Sequence, residues 1–223
     1  MRFEHQTLNE RAYHEIRRQL VSGAVKPGQP LVIRTLAADF GISVTPVRDA
    51  MLRLVAERLL VMMPNRTFAV PVLTQALLRE ASEIRVLMEG LATRKATPNL
   101  KLSHLHRLQG LVLEGTEAAE AGDSPAYTRI NQEFHFTIYE QAQAPILLQK
   151  ITELWSQVGP YFSQLLVDGD YVPHANEPHQ RIVEALQARD ADLASKEIAR
   201  DIESATHSLV QHFPEQEGLA AAF

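Results

Sequence analysis

Four polar side chains in the C-terminal half of the chain have types that can do chemistry: Asn131, His135, His179 and Asp201. Asn131 and His135 are four residues apart, so on a helix they share one face. The apolar stripe of Ile130, Phe134 and Ile138 lies beside that face and aims both side chains obliquely into a helical interior. Such groups can form a polar pocket or ligate a cation, although a lone histidine in a bundle is more often a satisfied core residue. A second chemistry-bearing stretch is "GISVTPVRDAMLRLV", Gly41 to Val55, with two hydroxyls, a proline and Arg48 at one end of an amphipathic segment. The third is Arg85 in "EIRVLMEG", four residues ahead of Glu89. On a helix that spacing supports an ion pair.

These residues need elements to position them. Leu8, Ala12, Ile16 and Leu20 fall on one stripe, which predicts a helix from about 8 to 22, closed by Gly23. "KPGQPL" forces a turn, and a short helix follows with Leu36, Ala37 and Phe40 inward. Val47, Ala50, Met51, Leu54 and Val55 then mark a third helix. Pro46 falls in its first turn, where a missing N–H costs nothing, and Ser43 or Thr45 is placed to cap the free amides. "LLVMM" and "TFAVPV" around "PNR" read as a small hairpin. Helix, helix, turn, helix, hairpin is the order of a winged helix-turn-helix, in which the start of the second motif helix meets bases and phosphates.

Beyond about Leu73 only helical patterns remain, six in all: 75–97, 103–121, 124–143, 145–167, 177–189 and 191–212. In the first of them Leu78, Ala81, Ile84, Met88 and Leu91 are expected inward, and in the last Leu193, Ile198, Ile202 and Leu209. Ser124-Pro125 reads as a cap followed by a first-turn proline, and Gly159-Pro160 as a kink or break. Trp155, Tyr161 and Phe162 read as core packing, and His174 and His207 as surface residues. The expected fold is mostly α: a winged helix-turn-helix over 1–72, an antiparallel all-α bundle of about six helices over 73–213, and a tail from 214 to 223.

Composition narrows the function. The chain of 223 residues is 45% hydrophobic, enough for a real core. It has no cysteine, which removes disulfides, thiolate metal sites and cysteine nucleophiles. No apolar run of membrane-spanning length occurs, so no membrane role is expected and the cytoplasm is the expected location. Residues 1–72 hold ten Lys/Arg against six Asp/Glu, whereas the remainder holds twelve against twenty-one. A basic end on an acidic body suits an N-terminal part that meets a polyanion. There is no G-x-S-x-G, P-loop or H-E-x-x-H motif.

"SGAVKPGQPL", "LAADFGIS", "TPVRDAMLRL" and "MPNRTFAV" resemble, in order and spacing, the GntR family of bacterial transcription regulators. The body resembles the FadR C-terminal-domain (FCD) branch of that family, through "EIRVLMEGLATRKA", "NQEFHFTIYEQA" and "PHQRIVEALQARDADLASKEIARDI". The resemblance implies a homodimer that binds a palindromic, double-stranded operator and responds to a small carboxylate effector in the bundle. It places DNA-facing roles on Arg34, Ser43, Val44, Thr45 and Arg48, with the wing tip at Asn65, Arg66 and Thr67. Three positions depart from the family pattern: Val44 replaces a base-reading arginine, Arg58 a glycine after the recognition helix, and Thr67 the wing glycine. The operator sequence and the path of the wing stay open for that reason.

The same resemblance gives the bundle residues a role. The branch holds a divalent metal on an acid or amide, a histidine one helical turn on, and two further histidines on the last two helices. Asn131, His135, His179 and Asp201 match in spacing, with Asp201 in place of the third histidine. Two readings stay open. In one, the carboxylate has moved from the first position to the fourth and the site binds Zn, Ni or Mn. In the other, the metal is lost and the residues form a polar pocket. Arg85 matches an arginine that faces the effector cavity, which suits a carboxylate, the alternative being its ion pair with Glu89. Ligand-facing roles thus fall on Arg85, Asn131, His135 and His179. A ligand-responsive regulator competes with a metal-dependent enzyme using the two histidines and the carboxylate, and with a non-sensing DNA-binding protein.

Overall fold

A computed structural model describes residues 7–21, 24–64, 67–162 and 176–211. The N-terminal head begins with α1, Leu8–Val21. Thr7 starts this helix with a reciprocal capping box: its hydroxyl accepts from the Glu10 N–H at 3.2 Å, and Glu10 accepts from the Thr7 N–H at 3.0 Å. A two-residue strand β1, Pro30–Leu31, leads into α2, Ile33–Phe40, which ends on Gly41 at φ 64°. That left-handed residue lets the chain turn sharply into α3, Val44–Ala56. The wing is β2, Val61–Met62, paired antiparallel with β3, Phe68–Ala69, and β1 pairs with the other edge of β3. The hairpin matches expectation; β1 does not, because a two-residue strand has no periodicity to read. Ile16, Leu20, Val47, Met51 and Leu54, each fully buried, form the centre of the head's own core.

Ser43 occupies the cap position of α3 but its side chain makes no capping bond. The expected hydroxyl cap is therefore corrected. A cap hydroxyl usually accepts from the second or third amide of the helix, and the third residue here is Pro46, which has none. Ser43, Val44, Thr45 and Arg48 are all exposed, so the helix start offers its free groups outward.

Arg58, the residue standing where the family places glycine, has φ 61°. It closes α3: its N–H bonds to the Val55 carbonyl at 2.9 Å, and the Leu59 N–H reaches Leu54 at 2.9 Å. A side chain in the left-handed region costs about 1–2 kcal/mol, partly offset by glycine's greater freedom in the unfolded chain. Arg58→Gly is therefore expected to stabilise the head by about 0.5–1 kcal/mol, seen as a raised midpoint in urea.

The body consists of α4 Gln75–Ala96, α5 Leu102–Glu120, α6 Ser124–Tyr139, α7 Pro145–Phe162, α8 Glu177–Gln187 and α9 Ala191–Val210. Helix α4 packs along α9, α5 against α6 and α8, and α7 against both α4 and the head helix α1. Two boundaries differ from expectation. Asp123, not Ser124, caps α6, accepting from the Ala126 N–H at 3.0 Å. Helix α7 runs through Gly159-Pro160 to Phe162 without a break. Pro160 sits in the last described turn, and residues 158–162 are all buried, so packing outweighs the lost amide. The expected extension to 167, the surface reading of His174 and the tail lie outside the described residues.

The inward face of α4 also differs. Ile84, Leu87 and Leu91 are 40%, 74% and 44% exposed. Ser82, Arg85, Glu89 and Thr93 are buried in their place. Of the expected inward set, Leu78 is buried and Ala81 and Met88 pack against the core, but Ile84 and Leu91 turn out, because the interior beside them is a polar site that the helix faces with polar groups. Leu193, expected inward on α9, is likewise exposed.

Candidate metal centre and nucleic-acid interface

Helices α6, α8 and α9 bring three of the four candidate ligands together. His135, His179 and Asp201 are buried, and one ligand atom from each lies within 4.8 Å of the others. His135 Nε2 is 3.2 Å from Asp201 Oδ2, and His179 Nε2 is 3.8 Å from Asp201 Oδ1. Asn131 is half-buried one turn before His135 on α6.

The outer nitrogens fix how each ring presents itself. Tyr139 donates its one hydroxyl proton to Glu89 Oε2 at 2.6 Å, so at 3.0 Å from His135 Nδ1 it accepts the ring N–H. Asn176 donates its amide to Thr116 at 3.3 Å, and its carbonyl oxygen accepts from His179 Nδ1 at 2.9 Å. Both rings thus turn Nε2 to the centre with the tautomer a metal needs. His179 Nε2 is buried with no partner, a lone pair aimed at Asp201 with no donor to meet it. Between His135 Nε2 and Asp201 a proton is required to make a bond, and a cation would take that proton's place. These donors fit a divalent ion: two imidazole nitrogens, a carboxylate and an outer shell that orients both rings.

Tyr139, Asn176 and Thr116 were missed by sequence reasoning, whereas the pairing of Glu89 with Arg85 is the one its spacing suggested. Tyr139 is four residues after His135 and Asn176 three before His179, both helical spacings that could have pointed to them. Gly115 makes room for Asn176, since a Cβ there would sit 3.1 Å from its amide. Arg85 is buried and paired with Glu89 at 2.6 Å, with its guanidinium 4.9 Å from the Trp155 ring centre. With neutral imidazoles, the formal charges of Arg85, Glu89 and Asp201 leave the buried cluster with one net negative charge.

Burial drives the His179 imidazole pKa down to about 4, against a smaller upward pull from Asp201. Burial alone would raise the Asp201 carboxyl, but the His135 bond and the nearby positive charges outweigh it and hold it below its ordinary value. A depressed histidine pKa means that the unfolded chain binds the extra proton first. Its contribution is therefore complete above pH ~6.5 and is lost as pH falls toward 4. The metal-free protein is expected to lose stability over that window, and His179→Gln to flatten the loss, measured as urea midpoints from pH 7 to 4.5.

In the head, Arg34 is exposed near the start of α2, and Ser43, Val44, Thr45 and Arg48 cluster at the start of α3. Asn65 and Arg66 lie outside the described residues. Free amides, a helix dipole and Arg48 at one exposed end suit phosphate and base contacts.

A wing-bearing helix-turn-helix joined to a helical body with a buried polar centre defines a DNA-binding regulator. Residues 8–70 match the bacterial regulatory proteins of the gntR family, and residues 80–204 match the FCD domain. The chain is 33% identical over 194 residues to the HTH-type transcriptional regulator McbR of Escherichia coli K12, covering 86% of this chain and 87% of McbR. It is 25% identical to the HTH-type transcriptional repressor RspR of the same organism, over 92% and 90% of the two chains. The solved structure of E. coli McbR/YncC superposes with a TM-score of 0.85 at 32% identity, covering 92% of this chain and 98% of that one. A GntR regulator from Rhodococcus sp. RHA1 shares the fold, with a TM-score of 0.76 at 19% identity over 92% and 99% of the chains. The chain belongs to the GntR family of bacterial transcription regulators, in its FCD branch. The enzyme reading is set aside, because these relatives are regulators. No helix among the described residues is long and apolar enough to cross a membrane.

Proposed function

We propose that the chain is a cytoplasmic, homodimeric regulator whose affinity for a palindromic operator is set by a small carboxylate held on a divalent metal in the bundle. His135, His179 and Asp201 would hold the metal, with Asn131 as a fourth donor. Zn, Ni and Mn all suit this donor set. When bound, the ion would supply a Lewis-acid anchor for an acid. The observation that carries this reading is the unpartnered, buried Nε2 of His179, turned with His135 Nε2 toward Asp201.

Charge supports an anionic effector. A divalent ion changes the buried cluster from one net negative charge to one net positive charge, and a single carboxylate then neutralises it. Arg85 lies close by, but Glu89 already engages it, so an acid would have to share or displace that pair. A homodimer is supported by Ile84, Leu87 and Leu91, which line one exposed apolar face of α4. The division near residue 72 is supported by two hydrophobic cores, one on each side of it.

Arg34, Ser43, Val44, Thr45 and Arg48, with Asn65 and Arg66 at the wing tip, form the proposed DNA-facing set. Effector and operator communicate only if the acid favours one placement of the two heads over another. Screening small organic acids by thermal shift tests this reading. Metal-loaded protein should be stabilised by at least one acid, and chelated protein should not respond to that acid. Stabilisation that is indifferent to chelator would overturn the metal-anchored effector.

A further inference from the structure

A second cavity, of about 370 Å³, opens where the head meets the bundle, between α1, α6 and α7. Its lining includes His14, Arg17, Arg18 and Arg129, and no carboxylate. Glu15 engages Arg18 at 2.6 and 2.9 Å, which leaves two guanidiniums to account for. Among the described residues Arg17, from the head, bonds the neutral hydroxyl of Ser156, at 3.1 and 3.3 Å. Glu153, whose carboxylate feels the Arg17 charge weakly, is already held by Lys150 and Gln149. Arg129, from the bundle, has no hydrogen bond or ion pair among the described residues. Two cations, one from each part of the chain, thus line one concave space that no carboxylate lines.

We propose that this seam cavity binds a small organic anion, its carboxylate between Arg17 and Arg129 and its apolar body against Phe136 and Trp155. The volume lies at the small end of ligand pockets, which suits a ring-sized acid. Guanidinium forks recognise carboxylates in two-point fashion, and aromatic side chains accept a flat apolar body. Such an anion would bridge α1 to α6 and α7, fixing how the head sits on the bundle. Trp155 also lies 5.3 Å from the His135 ring, so the two sites share one side chain while using different ligands. The seam site is independent of the metal-anchored effector and would give the regulator a second input.

Trp155 is the one tryptophan of the chain, so its fluorescence reports on the cavity directly. The full chain is titrated with benzoate in the presence of EDTA, with inorganic phosphate as an anion lacking an apolar body. A saturable change with benzoate is expected, at least tenfold weaker with phosphate. Arg129→Gln, an exposed and unpaired position, should weaken benzoate at least tenfold, whereas Asp201→Asn should leave it unchanged. The proposal is overturned by the absence of any saturable response, by an unchanged affinity in Arg129→Gln, or by loss of the response in Asp201→Asn. Phosphate binding as tightly as benzoate would overturn the apolar part of the recognition.

Discussion

Asp201→Asn should abolish the stabilisation of this protein by Zn, Ni or Mn. The substitution keeps the shape of the side chain and removes the one carboxylate of the three-residue cluster. In the wild type, a metal at about a hundred times its dissociation constant contributes about 2.7 kcal/mol to the folded state. For a chain of this size that corresponds to a rise of about 5–10 °C in melting temperature. The variant should melt at nearly the same temperature with and without metal. The diagnostic quantity is the difference made by metal within each protein. An undiminished metal response in Asp201→Asn would place the ion elsewhere.

Arg48→Ala carries the second large effect. Arg48 is exposed in the first turns of α3, beside Thr45 and Val44, and has no ion-pair partner among the described residues. Losing a guanidinium that contacts DNA costs about 1–3 kcal/mol, or roughly ten- to a hundredfold in affinity. If Arg48 meets a phosphate, the loss is uniform across sequences and the salt dependence becomes shallower by about one counterion. If it meets a base, discrimination at one operator position relaxes instead. Both show in fluorescence anisotropy on labelled operator at several salt concentrations. Unchanged affinity at low salt would remove Arg48 from the interface. Val44, 40% exposed at the very start of the helix, offers only an apolar contact where the family has an arginine.

Much of this architecture was legible in the sequence, for physical reasons that differ by element. The head helices announce themselves through apolar periodicity and through Gly41, whose left-handed conformation ends α2 as its position suggested. Arg58 was legible only against the family pattern; its φ of 61° is the left-handed conformation that glycine adopts most easily. Helix α4 was legible in extent and at Leu78, Ala81 and Met88 but not at Ile84 and Leu91, because periodicity identifies an apolar stripe without saying what faces it. Ile84, Leu87 and Leu91 turn outward, and Arg85, Glu89 and Thr93 turn in. His135, His179 and Asp201 were legible as donors by type and spacing. Their meeting depends on α6, α8 and α9 packing in register, which no local pattern encodes. The groups that orient them, Tyr139 and Asn176, went unread because tyrosine and asparagine have many commoner uses. The seam cavity could not be foreseen, since Arg17 and Arg129 are brought to it by the docking of two separately packed cores.

Elemental analysis of the purified full chain tests the proposed metal centre of the bundle most directly. After loading with Zn, Ni or Mn and removal of excess ion, the wild type should retain about one equivalent per chain. The double variant His135→Ala/His179→Ala, folded by circular dichroism, should retain none. A wild type that retains no metal under those conditions, or a folded double variant that retains as much, would contradict the account.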